Sequence, residues 1–257
     1  MNQLNVNLPE LPYAVSEAMN RLRINIKFCG KNTRRILLTS CQPNEGKSTI
    51  SAYLWKMLAE AGFPTVLVDV DLRKSVMKTR FQMDYDDDTT MGLNHYLSGM
   101  AEYEDVVYST NIPNGYMVPC TQLLENPSAL LEDVRFKELL NTLSENYRFV
   151  IIDSPPLGSV ADGALIASLC DGAVLVVRAG TTPRTLIKQS LYEIQQSGCK
   201  LLGTVLNRAD VKGRAYGKYG YGKYGYGYGY GYGYGYEPKD KKNSSDSAAA
   251  DKNSTGK

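Results

Sequence analysis

Histidine is almost missing from this sequence: His95 is the only one in 257 residues. A serine- or cysteine-based relay needs an imidazole to carry its proton, so only His95 could serve one. It lies in Leu93-Asn94-His95-Tyr96-Leu97, a short helical pattern that better suits a packed or solvated histidine. Cysteine is sparse too. Cys29, Cys41, Cys120, Cys170 and Cys199 are scattered, odd in number and form no C-x-x-C pair. That argues against zinc and a disulfide framework, and for a reduced cytosolic protein. No signal peptide is evident and no apolar run approaches ~18 residues, so no membrane span is expected. Net charge is only +2, which gives no reason to expect a nucleic-acid partner.

The small net charge hides an asymmetry. Residues 211–257 carry nine Lys/Arg against four Asp/Glu, net +5, which leaves −3 for the rest of the chain. A mildly acidic domain therefore precedes a basic tail. Ten of the 19 tyrosines fall between Tyr216 and Tyr236, mostly alternating with glycine. Glycine packs nothing and loses much backbone entropy on ordering, so the segment reads as a mobile tail rather than a strand. From Glu237 the composition is Lys/Ser/Asp/Ala-rich and reads as disordered. The expected organisation is an arm over 1–12, one domain over 13–210, a Tyr/Gly tail over 211–236 and a polar tail over 237–257.

The domain is organised around Cys41-Gln42-Pro43-Asn44-Glu45-Gly46-Lys47-Ser48-Thr49. A strand-like run, Ile36–Ser40, precedes it, and a helical pattern from Ser48 to Ala61 follows, with Gly62 placed to stop it. Strand, loop, Gly-Lys-Ser and helix make up the context of a P-loop, whose backbone N–H groups cradle phosphates. The loop residues Asn44, Glu45 and Gly46 are candidate phosphate-binding positions. Lys47 is expected to reach the β- and γ-phosphates, Ser48 to bind Mg²⁺, and Thr49 to add a donor near the α-phosphate. One departure stands out: the first position of G-x-x-x-x-G-K-[ST] is Cys41.

Apolar strands are expected at Thr65–Val68, Tyr116–Val118, Phe149–Asp153, Ala173–Val177 and Leu201–Leu206. Helices are expected at Tyr13–Cys29, with Val15, Met19, Leu22 and Ile26 on one side, and at Gly92–Ser98. Another runs from an N-cap at Ser128 to about Asn146, and a further one from Pro183 as its first residue to Gly198. Near-continuous apolar strands separated by helices point to an α/β fold with a mostly parallel sheet covered on both faces, the three-layer P-loop NTPase arrangement. Ligands of such sheets sit beyond the carboxyl ends of the strands. Asp69, Asp71 and Asp153 fall there. Asp153 closes its strand in Walker B form and is a candidate Mg²⁺ ligand. Asp69 and Asp71 exceed what nucleotide binding needs: one can serve the metal while the other accepts a hydroxyl proton. The alternative is that both merely cap helices.

These motifs, together with Asn126-Pro127-Ser128, Val68-Asp69-Val70-Asp71-Leu72-Arg73 and Ile151-Ile152-Asp153-Ser154-Pro155-Pro156, resemble the Walker A, A′ and B motifs of bacterial tyrosine kinases of the capsular CpsD/CapB type. Those are P-loop ATPases related to MinD and ParA that end in a tyrosine cluster. The resemblance covers about residues 13–236. It implies ATP and Mg²⁺ as cofactors, with Lys47, Ser48 and Thr49 binding them, Asp71 and Asp153 serving the metal, and Asp69 or Asp71 activating the acceptor tyrosine. Asn207 resembles a position that contacts adenine. The implied acceptors are Tyr216, Tyr219, Tyr221, Tyr224, Tyr226, Tyr228, Tyr230, Tyr232, Tyr234 and Tyr236.

A ring-forming Glu-x-x-Arg-x-x-Arg motif in that family corresponds here to Glu17 and Arg23, with Asn20 in place of the first arginine and Arg21 beside it. The implied partners are other copies of the chain, a separately encoded membrane-embedded activator that sets polysaccharide chain length, and a protein-tyrosine phosphatase. The implied location is the inner face of the plasma membrane, and the implied role is regulation of capsule or exopolysaccharide synthesis and export. Two other readings compete. One is a MinD/ParA-like ATPase switch, against which Gln42 stands where those relatives carry a second lysine. The other is a binding module with an adhesive Tyr-Gly tail, against which the paired Asp69 and Asp71 stand.

Overall fold

Most of the apolar runs pair with one another as inner strands buried on both faces, which keeps their backbone and side chains from water; Leu201–Leu206 is the exception, an edge strand whose residues are exposed or half-buried. The computed structural model describes residues 3–86, 89–158 and 162–209, which belong to one compact unit, Met1–Asp210. The segments 211–236 and 237–257, and with them all ten candidate acceptor tyrosines, lie outside the described residues. The strands are β1 (Gln3–Leu4), β2 (Arg35–Ser40), β3 (Thr65–Asp69), β4 (Tyr108–Thr110), β5 (Gly115–Val118), β6 (Phe149–Asp153), β7 (Gly172–Arg178) and β8 (Leu201–Asn207). They form one sheet in the order β1-β4-β5-β3-β6-β2-β7-β8. Every pairing is parallel except β4 with β5.

Side chains alternate between the two faces, so each inner strand feeds two cores. Leu37, Val68, Ile152 and Leu175 pack on one side. There they meet Leu139 and Leu143 of α7 (Val134–Asn146), Ile166 of α8 (Asp162–Ser168) and Ile194 of α9 (Arg184–Gln196). Leu38, Leu67, Ile151 and Val176 pack on the other side, against Met19 and Ile26 of α1 (Tyr13–Lys27) and Leu54, Trp55 and Leu58 of α2 (Lys47–Glu60). The three-layer α/β arrangement expected from the strand pattern is the one observed.

Several local expectations change. Val15 is 45% exposed and does not share the buried side of α1 with Met19 and Ile26. The single helix expected after Asn126 is two, α6 (Ser128–Glu132) and α7, because Asp133 is extended (ψ 150°) and its carboxylate accepts the N–H of Arg135 to cap α7. Ser128 is helical rather than an N-cap: Pro127 holds the cap position, and the Ser128 hydroxyl donates instead to Asp162. Pro183 sits at the cap of α9, one residue before the first helical position. The arm runs extended along the domain, with Gln3–Leu4 paired to β4 and Leu4, Val6 and Leu8 buried. Short α3 (Met77–Arg80), α4 (Leu93–Leu97) and α5 (Tyr103–Val106) are the remaining helices among the described residues. His95 lies in α4, and its Nδ1 accepts the N–H of Gly92 at 3.0 Å, so the lone histidine closes a helix start.

Candidate active site

Strand order brings the site together. The central neighbours β3, β6 and β2 end side by side, with Asp69 in register with Asp153 and Leu38 beside Asp153 as well. The loop leaving β2 therefore passes over the carboxylates that end β3 and β6. The turn of that loop is made at Asn44 (φ 64°) and Gly46 (φ 98°). Asn is among the few non-glycine residues that adopt this conformation readily. Cys41 has no positive φ, so the glycine of the strict pattern is not needed there. At Gly46 it is: a Cβ would stand 2.2 Å from Asn207 Nδ2. The first turn of α2 leaves the N–H groups of Lys47, Ser48 and Thr49 without intrahelical acceptors, which is the usual arrangement for holding an anion.

A cavity of about 160 Å³ opens at this point, lined among others by Asn44, Gly46, Lys47, Ser48 and Asp71. Lys47 Nζ donates to Asp71 Oδ2 at 2.8 Å and lies 3.8 Å from Asp153 Oδ2. Burial works against the ammonium, but Asp153 and Asp71 outweigh it and hold Lys47 above the ordinary lysine value. Asp153 is 1% exposed and accepts the Ser51 hydroxyl at 2.8 Å. Burial raises its pKa, with Lys47, Ser48 and Ser51 offsetting only part of the effect. Asp69 lies beneath Asp71 and does not line the cavity. It accepts the Ser75 hydroxyl and, at 3.4 Å, the N–H of Asp71. Burial, with Asp153 and Asp71 close by, pushes Asp69 up to about 8.

Two of the expected site residues have side chains engaged within the protein. The Glu45 side chain is 3% exposed and bonds to the loop itself, and Asn207 donates its amide to the Glu45 carbonyl at 2.8 Å. Thr49 is half-buried and accepts from Arg80. Arg73, given no role from sequence, lines the cavity. Its guanidinium is held by Asp162 at 2.7 Å, by Ser128 at 3.1 Å and by the Glu125 carbonyl at 2.8 Å. Burial opposes ionisation of Asp162, but Arg73 and Ser128 prevail and hold it below the usual carboxylate range. Arg73, Lys74 and Arg80 give the cavity a cationic rim. Among the described residues no group of three carboxylate, cysteine or histidine side chains could hold a metal alone. Ser48 beside Asp153 suits Mg²⁺, which keeps several waters and arrives with substrate phosphates.

A family model described as an AAA domain matches residues 34–195. A tyrosine-protein kinase CpsD of Streptococcus agalactiae is 42% identical over 208 residues, spanning 80% of this chain and 90% of the relative. The chain belongs to the bacterial tyrosine-protein kinases of the CpsD/CapB type. Among solved structures, the kinase superposes on the chimerical protein CapA2B2 with a TM-score of 0.72 and 33% identity, covering 80% of this chain and 92% of that one. It also matches the septum site-determining protein MinD of Pyrococcus horikoshii, solved with Mg-ADP, with a TM-score of 0.58 and 26% identity over 68% of this chain and 70% of that one.

The helix expected to join subunits of the kinase packs its Met19–Ile26 side against the domain. Arg21 is exposed and Glu17 half-buried. Asn20 accepts from Arg23 Nη2 at 2.7 Å and Nε at 3.1 Å, so the residue in the place of the motif's first arginine holds the second. No helix among the described residues is long and apolar enough to cross a membrane.

Proposed function

We propose that this kinase binds ATP with Mg²⁺ at the Lys47 loop and transfers the γ-phosphoryl group to tyrosine hydroxyls, those of its own Tyr216–Tyr236 segment included. The observation that carries the reading is the Lys47–Asp71 pair. Phosphates entering the cavity compete for Lys47, and each interaction Lys47 makes with them weakens its hold on Asp71. Asp71 is then a free carboxylate on the cavity wall, able to accept the proton of an incoming phenol, whose pKa is ~10 in water. Asp69, behind it, supports Asp71 through the Asp71 N–H. Ser48 and Asp153 would hold Mg²⁺, which supplies charge neutralisation between the phosphates.

The resemblance to CpsD/CapB-type kinases supports the wider reading: assembly of copies through α1 with Glu17, Arg21 and Arg23, and dephosphorylation by a protein-tyrosine phosphatase. It equally supports activation by a separate membrane-embedded protein at the inner face of the plasma membrane, in the control of capsule or exopolysaccharide synthesis.

The test incubates the purified chain with ATP and Mg²⁺ and reads phosphotyrosine by immunoblot and mass spectrometry. Phosphate on the tail tyrosines is expected, with Asp71→Asn reducing the rate at least ~100-fold, the lower end of what a positioned general base contributes, while binding of a non-hydrolysable ATP analogue persists. Wild-type rates in Asp71→Asn would remove Asp71 from the chemistry. ATP hydrolysis without any phosphotyrosine would return the protein to the switch reading.

A further inference from the structure

Glu45 lies in the middle of the nucleotide loop, yet it is 3% exposed and absent from the cavity wall. Its carboxylate is fully engaged. Oε2 accepts the N–H of Cys41 at 2.8 Å and of Gln42 at 3.0 Å. Oε1 accepts the hydroxyl of Thr182, whose oxygen in turn accepts the N–H of Arg178 at the end of β7. The Glu45 carbonyl accepts the Asn207 amide at 2.8 Å, and Asn207 Oδ1 is taken by the N–H of Arg208. One residue thus ties the front of the loop to the turn after β7 and to the end of β8.

We propose that Glu45 is a positioning residue for nucleotide binding, a brace that fixes the loop in its anion-receiving shape before any ligand arrives. The inference rests on the loop being the nucleotide site. Its physical basis is the division of the loop's N–H groups. Those of Cys41 and Gln42 are consumed inside the protein by a carboxylate. Those of Lys47, Ser48 and Thr49, at the start of α2, remain for phosphate. Without the carboxylate, the buried N–H of Cys41 and the part-buried N–H of Gln42 lose their partner, and the loop would relax to satisfy them at the expense of the cradle. A preorganised loop avoids paying that ordering cost on binding. Asn207 belongs to the same brace: its amide nitrogen donates to the Glu45 carbonyl and its oxygen accepts the Arg208 N–H.

The test compares wild type, Glu45→Ala, Glu45→Gln and Thr182→Val. Hydrogen exchange on the nucleotide-free proteins comes first. The amides of Cys41 and Gln42 should be protected in wild type and exchange at least ~10-fold faster in Glu45→Ala; equal exchange overturns the brace, whatever the protein binds. Calorimetry with Mg-ATP should then show an affinity loss of about tenfold for Glu45→Ala, with kcat at saturating ATP within about threefold of wild type, the loss appearing in KM. Glu45→Gln keeps an oxygen for both N–H groups and should stay within about threefold in affinity. Thr182→Val should fall between the two, and should carry the prediction alone if Glu45→Ala does not fold. Equal ATP affinity in wild type, Glu45→Ala and Thr182→Val, or a loss confined to kcat, overturns the proposal. Protection in wild type without any ATP binding would instead refute the nucleotide reading and leave the brace in the loop standing.

Discussion

Replacing Lys47 with methionine should do more than remove a phosphate contact. Lys47 is the cation nearest two buried carboxylates, with side-chain exposures of 11% for Lys47, 7% for Asp71 and 1% for Asp153. Removing one partner of a buried ion pair costs about 3–5 kcal/mol. The cavity admits water, so the lower end, ~3 kcal/mol, is the better figure for Lys47→Met without ligand. At about 2–4 °C per kcal/mol for a domain of this size, the melting temperature should fall by roughly 6–12 °C.

The loss should depend on pH. Asp69 and Asp153 are already raised above their unfolded values, chiefly by burial, and Lys47 acts on both to lower them. A carboxyl with a raised folded pKa contributes its full stability below the unfolded value, ~4, and loses it as pH rises through the folded value. For Asp69 in wild type that window runs from ~4 to about 8. Lys47→Met extends it upward, so the gap between the two proteins should widen from pH 5.5 to pH 8.5. Differential scanning calorimetry in EDTA at both pH values reads it directly. A gap under about 2 °C at pH 8.5, or one equal at both pH values, would refute the argument that Lys47 neutralises these carboxylates.

Two further substitutions probe the same region. Gly46→Ala places a left-handed non-glycine residue in the loop and a Cβ against Asn207 Nδ2; it should cost about 1–2 kcal/mol in stability and at least tenfold in Mg-ATP affinity by calorimetry, and an affinity within twofold of wild type would contradict it. Asp69→Asn should gain stability relative to wild type between pH 5 and 8, by no more than about 1.4 kcal/mol per pH unit, and level off above about 8; thermal melts showing a pH-independent difference would mean that Asp69 does not titrate in that window.

The loop was legible because its chemistry is local: Gly46 must adopt positive φ, Lys47 and Ser48 follow it, and strand and helix patterns flank it. The carboxylates were legible because an aspartate closing an apolar strand stands out. What Glu45 does was not legible, since its partners Thr182 and Asn207 are 137 and 162 residues away. Arg73 was visible within its motif, but nothing near it in sequence points to Asp162. The break between α6 and α7 was hidden because apolar spacing continues through Asp133, whose extended backbone only the structure reveals. Pieces as short as β4 and α5, three and four residues long, carry too few side chains to show a period.

The strand order has a consequence for how the protein is made. Asp153 is inserted between β3 and β2, both of which leave the ribosome some eighty or more residues earlier. Until β6 threads into that gap the sheet lacks the strand that joins β3 to β2, and Lys47 lacks the Asp153 carboxylate. A nascent chain that stops short of β6 carries the complete loop sequence and still has no assembled site. Nucleotide therefore cannot rescue early intermediates by binding them. Completing the sheet requires the long-range pairing of β6, a slow kind of contact, and ATP stabilises by mass action the chains in which the site is assembled.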